Sequence, residues 1–147
     1  MSELGHVVFY VRELERSVQF YTEMVGLKEQ GRIFGDRASL LSGGRTHHEL
    51  LLIEVGAAPG PAQGRRIGLY HVGWKIGDSI EQLKTLHDKL KDLDYAIDGL
   101  SDHTISHSIY LRDPDGNEVE LYVDNPDYDW SNDDSWMEAP VKRLILG

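Results

Sequence analysis

His6 and His71 occupy matching places in a weak internal repeat. Gly5-His6-Val7-Val8-Phe9-Tyr10-Val11 and Tyr70-His71-Val72-Gly73-Trp74-Lys75-Ile76 are both β-rich runs leading into a helix-like stretch, with the histidines 65 positions apart. A lone histidine in an apolar strand is more often a satisfied core residue than a ligand. Two at equivalent places change that balance. If the halves stack with pseudo-two-fold symmetry, both imidazoles can meet near the axis, and two neutral imidazoles are good ligands for iron, zinc or manganese. A third ligand is expected from the last strand of a half. In Asn117-Glu118-Val119-Glu120-Leu121-Tyr122-Val123, alternation puts Val119, Leu121 and Val123 on one face and Glu118, Glu120 and Tyr122 on the other. If the second face lines an interior, Glu120 is a buried carboxylate that needs a cation or strong hydrogen bonds. The other reading leaves both glutamates on the wet face of an edge strand. The chain has no cysteine, so any metal must be held by His, Asp and Glu.

The elements that must position these residues follow from periodicity and turn signals. Leu14, Val18, Tyr21 and Val25 recur at helical spacing, with Gly26 as a C-terminal cap. Ile80, Leu83, Leu86 and Leu90 mark a second helix, where Asp78 and Glu81 have the spacing of a capping box. Short strands are expected at about 29–34, 37–42 and 48–55 in the first half, and at about 96–100, 107–112 and 118–123 in the second. Gly43-Gly44 and Asp113-Pro114-Asp115-Gly116 supply turns. Each half therefore reads as a βαβββ module, about 3–56 and 67–124, joined by a Gly/Pro/Ala linker at about 56–66. About 60 residues per half is marginal alone, so residues 1–126 are expected to form one domain. Beyond it, an acidic-aromatic tail over 127–147 reads as a solvated arm, or as one whose aromatics pack on a partner or a site mouth. Leu144-Ile145-Leu146 is a candidate packed anchor.

Composition narrows the function classes. The chain has 147 residues and a formal net charge of −10. Phosphate binding needs a basic face, so nucleic acid is disfavoured, as is an anionic lipid surface. No apolar run reaches membrane-spanning length, and the first residues carry no basic, apolar signal pattern. A cytoplasmic location is the expectation.

The two His-bearing strands, the half-repeat and Asp113-Pro114-Asp115-Gly116-Asn117-Glu118-Val119-Glu120-Leu121 together resemble the vicinal oxygen chelate superfamily, over about residues 3–124. That superfamily includes glyoxalase I, extradiol catechol dioxygenases, fosfomycin-resistance transferases and metal-free bleomycin-binding proteins. The resemblance implies an α+β fold in which two βαβββ modules form a curved mixed sheet around a metal-binding cleft. It also implies His6, His71 and Glu120 as metal ligands. Four-ligand members add a Glu or Gln from the strand ending the first half. Here that strand is Leu-rich in the middle, and Glu49 or Glu54 would serve only in a different register. Two His and one carboxylate is the Fe(II) oxygenase arrangement, open to a bidentate catecholate and O2.

The stretch from Asp102 to Pro114 resembles the corresponding part of extradiol dioxygenases. This implies His103 and Tyr110 as substrate-oxygen partners and His48 as an acid/base near O2, with His107 and His47 as their respective rivals. Alternation puts His107 and Tyr110 on opposite faces of a regular strand. A catechol must lose a proton to chelate iron, and a neutral His suits proton transfer near pH 7. The expectation is an extradiol (catechol 2,3-type) dioxygenase that uses Fe(II), with Mn, Ni or Zn as alternatives. It would act on a small aromatic substrate with O2, as a homodimer. The alternatives are a glyoxalase- or fosfomycin-type lyase, isomerase or transferase, and a metal-free drug-binding protein. His87, on the second helix, receives no role.

Overall fold

The computed structural model describes residues 1–147. The first module comprises β1 (Val7–Val11), α1 (Leu14–Glu23), β2 (Lys28–Ile33), β3 (Ala38–Ser42) and β4 (Leu50–Glu54). The second comprises β5 (His71–Gly77), α2 (Ile80–Asp92), β6 (Ile97–Asp102), β7 (Ser106–Arg112) and β8 (Glu118–Asp124). A 3-10 turn over Ser135–Met137 and a short β9 (Lys142–Arg143) follow. The βαβββ pattern thus occurs twice in an α+β chain. Its strands form two mixed sheets, ordered β1-β4-β3-β2 and β5-β8-β7-β6-β9. In each, the first strand runs parallel to the last, which needs the helical crossover that the module contains.

The chain divides into two compact units. The first is Met1–Gln63 together with the turn Asp113–Gly116. Its core joins Leu14, Val18 and Tyr21 of α1 to Leu41, Leu50 and Leu52 of the sheet, all at most 9% exposed. Burying each such aliphatic side chain contributes about 1.5–3 kcal/mol. The Tyr21 hydroxyl donates to Asp113 Oδ2 at 2.7 Å within this core. Asp115, its side chain 5% exposed, pairs with Arg12 at 3.3 Å. The turn read from Asp113-Pro114-Asp115-Gly116 therefore does more than reverse the chain between β7 and β8, because Asp113 is tied to Tyr21 of α1 and Asp115 to Arg12 just ahead of that helix. The N-terminus of α1 lacks a cap from Glu13; Glu54 Oε2 accepts from Leu14 N at 2.8 Å instead. At the other end Gly26 adopts φ +89°, and Leu27 N bonds back to Tyr21 O at 3.0 Å.

The second unit is Gly64–Arg112 with Asn117–Gly147. Val119, Leu121 and Val123 of β8 and Ile109 and Leu111 of β7 are at most 1% exposed. They share the side covered by Leu83, Leu86 and Leu90 of α2. The capping box falls one residue later than its spacing suggested, at Ser79 and Gln82. Asp78 is drawn away by Lys75, whose Nζ lies 2.7 Å from its carboxylate. The strand expected from His48 begins only at Leu50, because Glu49 gathers backbone N–H groups and holds the preceding residues as a loop. In the tail, β9 pairs with β6 through Ser101↔Arg143 and Asp102↔Lys142. Leu146 is 7% exposed and Ile145 76%, so the anchor is one residue.

Candidate functional site

The side of the second sheet turned away from α2 carries the polar residues. β5 presents His71, Gly73 and Lys75 there. Its parallel register with β8 sets His71 beside Glu118 and Gly73 beside Glu120. β7 adds Tyr110 opposite Glu120 and Ser108 opposite Tyr122. The two oxygens of Glu120 have different surroundings. Oε2 accepts from Ser108 Oγ at 2.7 Å and from the Tyr110 hydroxyl at 2.9 Å. Oε1 lies 3.4 Å from His71 Nε2. Gly73 leaves the space this needs: a Cβ there would stand 3.1 Å from Oε1.

Tyr110 has one hydroxyl proton, and it goes to the carboxylate. His103 Nε2, 2.7 Å from the same oxygen, must therefore be the N–H donor. Burial and then the bond to Glu120 push the Tyr110 hydroxyl well above the ordinary phenol range, so it stays protonated. His107 lies on the opposite side of β7 with Ile109 and Leu111. Its nearest partner is Asp102 Oδ1 at 3.6 Å. Of the two rivals, His103 is the one beside Tyr110, as strand alternation required.

In the first unit, His6 immediately precedes β1, and its ring stands 4.8 Å from that of His48. His47 also meets His48, the tilted rings 4.5 Å between centroids and the two Nδ1 atoms 2.6 Å apart. His48 is half-buried and His47 exposed. Burial, and then the neighbouring His47 and His6, lower the His48 pKa, so it is neutral at pH 7. Glu49 accepts from the backbone of Gly43 at 2.7 Å and Arg45 at 3.2 Å, and Glu54 from Leu14 N, so both carboxylates hold structure. The register pairs Val8 with Leu51 as it pairs Gly73 with Glu120. Leu51 is thus the first-sheet counterpart of Glu120.

His71 Nε2 and Glu120 Oε1 suit one edge of a divalent-metal coordination sphere. Two donors each about 2.1 Å from one ion stand roughly 3.0–3.4 Å apart. Two lone pairs facing at that distance also need a cation or a proton between them. No group of three or more His, Asp or Glu has the spacing of a complete metal site. The second unit supplies two donors, and His6 belongs to the first.

Residues 3–121 match the model of the glyoxalase/bleomycin resistance protein/dioxygenase superfamily. The chain belongs to that superfamily. Within it, the chain is 34% identical over 136 residues to the catechol-2,3-dioxygenase of Bacillus subtilis (strain 168), covering 90% of this chain and 45% of the relative. It is 29% identical over 130 residues to biphenyl-2,3-diol 1,2-dioxygenase 3 of Rhodococcus globerulus, covering 83% and 63%. The chain thus spans roughly half to two thirds of the length of these relatives. A glyoxalase/dioxygenase crystal structure from Nostoc punctiforme shares the fold, with a TM-score of 0.73 at 17% identity over 84% of this chain and 91% of that one.

Sequence reading missed Ser108, Gly73 and the contact of Glu118 with His71. Ser108 had a usable signal, standing two residues before Tyr110 on the same strand face. The other two depend on the parallel register of β5 and β8, which local pattern does not reveal.

Proposed function

We propose that this superfamily member is a metal-dependent, extradiol-type ring-cleaving dioxygenase acting on a catechol-like aromatic with Fe(II) and O2. The carrying observation is the continuous contact His71–Glu120–Tyr110–His103 on one sheet face, with ligand-type atoms at one end and a protonated hydroxyl–imidazole pair at the other. His71 and Glu120 are assigned as ligands. The family resemblance makes His6, which stands at the start of the first module as His71 does in the second, the third. Fe(II) bound there would supply a Lewis-acidic, redox-active centre able to take a catecholate and O2.

The protein groups divide the remaining work. Ser108 and Tyr110 occupy Glu120 Oε2, so Oε1 is the oxygen left to act as a donor. Both protons of the Tyr110–His103 pair are engaged, on Glu120 and on the Tyr110 hydroxyl. A phenolic oxygen brought to this face would take a hydrogen bond by displacing one of these contacts, and His103 can hold or release a proton at Nε2. In the first unit, His48 is neutral at pH 7, the form needed for the acid/base role that the resemblance assigns to it. No helix is long and apolar enough to cross a membrane, and a cytoplasmic homodimer is the state this reading expects.

The test is an oxygen-electrode assay of anaerobically prepared, Fe(II)-loaded protein against a panel of catechols. Equimolar O2 uptake with formation of a ring-opened chromophore is expected. Iron-loaded protein that consumes no O2 with any catechol would overturn the reading. Natively bound nickel, zinc or manganese with a lyase, isomerase or transferase activity would replace it with the glyoxalase- or fosfomycin-type alternative.

A further inference from the structure

We infer that Glu118 is a positioning residue: it holds His71 as the Nδ1–H tautomer and leaves Nε2 as the metal-donor atom. The inference rests on the metal-site reading above. Glu118 Oε2 lies 3.1 Å from His71 Nδ1, and its side chain is 14% exposed. A carboxylate only accepts hydrogen bonds, so the nitrogen facing it carries the proton. The other nitrogen then presents its lone pair. That nitrogen, Nε2, is the one 3.4 Å from Glu120 Oε1. The imidazole therefore stands between two carboxylates with unequal roles: Glu118 holds it by a hydrogen bond, while Glu120 faces its bare nitrogen across the place a cation would take. The Nδ1 contact is the shorter, and it is the one with hydrogen-bond geometry.

The sheet builds this arrangement in. Glu118 is the direct cross-strand neighbour of His71, while Glu120 sits one row further along, beside Gly73. A cation steadies Glu118 from outside, with Arg112 Nη2 approaching Oε1 at 3.9 Å. The Tyr70 ring also packs edge-on against His71, 4.4 Å between centroids. The first unit lacks the device. Glu49 holds the corresponding place beside His6, just before β4, but its carboxylate is taken by the backbone of Gly43, Arg45 and Thr46.

The experiment compares wild type with Glu118→Gln and Glu118→Ala in two readouts. Long-range 1H–15N correlation spectra of metal-free protein, with His71 assigned through His71→Ala, report the tautomer of the neutral ring. Chelator-competition titration with Zn(II) reports metal affinity. Wild type should show protonated Nδ1 and bare Nε2. Both variants should shift His71 toward the Nε2–H form and bind Zn(II) roughly 10–100-fold more weakly. Circular dichroism checks that they fold, and the near-isosteric Gln variant guards against a trivial loss. An Nε2–H ring in wild type, or variants with unchanged tautomer and affinity within about twofold, would overturn the role of Glu118. Absence of Zn(II) binding by wild type would instead overturn the metal-site reading, and the tautomer spectra would still decide what Glu118 does.

Discussion

On the proposed reading the two oxygens of Glu120 separate metal holding from proton handling, and single substitutions should separate them too. Tyr110→Phe removes the bridge between Glu120 and His103 while leaving the His71 contact in place. Turnover of a catechol should fall by about 100-fold or more, the usual cost of losing a positioned proton donor. Zn(II) affinity, read by chelator competition, should stay within a few-fold. Gly73→Ala acts in the opposite way. Its new methyl group would stand 3.1 Å from Oε1, so the carboxylate must give by a few tenths of an ångström where it faces His71. Metal affinity should drop, with the fold intact by circular dichroism. If Gly73→Ala binds Zn(II) as tightly as wild type does, the cradle has no bearing on the ligand.

At the element scale, the loop carrying His47 and His48 depends on Glu49. Burial alone would raise its pKa, but the N–H groups of Gly43, Thr46 and Arg45 outweigh burial and lower it below the carboxylate value of 4.5. A depressed folded-state pKa contributes stability that is present above 4.5 and lost as pH falls through the folded value. Glu49→Gln should therefore cost about 1–2 kcal/mol at neutral pH in denaturant titrations, with the gap to wild type closing in acid below that window. A gap independent of pH would contradict the assignment. On α2, His87 is 6% exposed and its Nδ1 has no hydrogen-bond partner. Leucine there removes a buried, unsatisfied polar atom, and thermal unfolding should show a gain of about 1 kcal/mol. Much of the element pattern was legible in the sequence, because 3.6- and 2-residue periodicities are local. The matched starts of β1 and β5 were visible for that reason. Glu120 was ambiguous because alternation names a face without saying which side a helix covers. The packing of Val119, Leu121 and Val123 against α2 shows only that Glu120 lies on the other side of the sheet. The grip of Glu118 on His71 was not legible, since it joins residues 47 positions apart through strand register. Nor was the bond from Tyr21 to Asp113, which span 92 positions.

At the scale of the whole molecule, the chain is an acidic α+β protein of two βαβββ modules, and the tail closes the second sheet with β9. β9 pairs with Asp102, the residue before His103. Deleting residues 141–147 should speed amide exchange along β6 and lower catechol turnover more than metal affinity; unchanged exchange would mean that β9 does not secure this edge. The central claim is that the chain holds a divalent metal through His71 and Glu120. Its most direct test is an anaerobic Fe(II) titration with elemental analysis, run on wild type, His71→Ala and Glu120→Ala. Equimolar tight iron in wild type, lost in both variants while circular dichroism is unchanged, is the result predicted here. Iron bound as tightly by either variant as by wild type would contradict it.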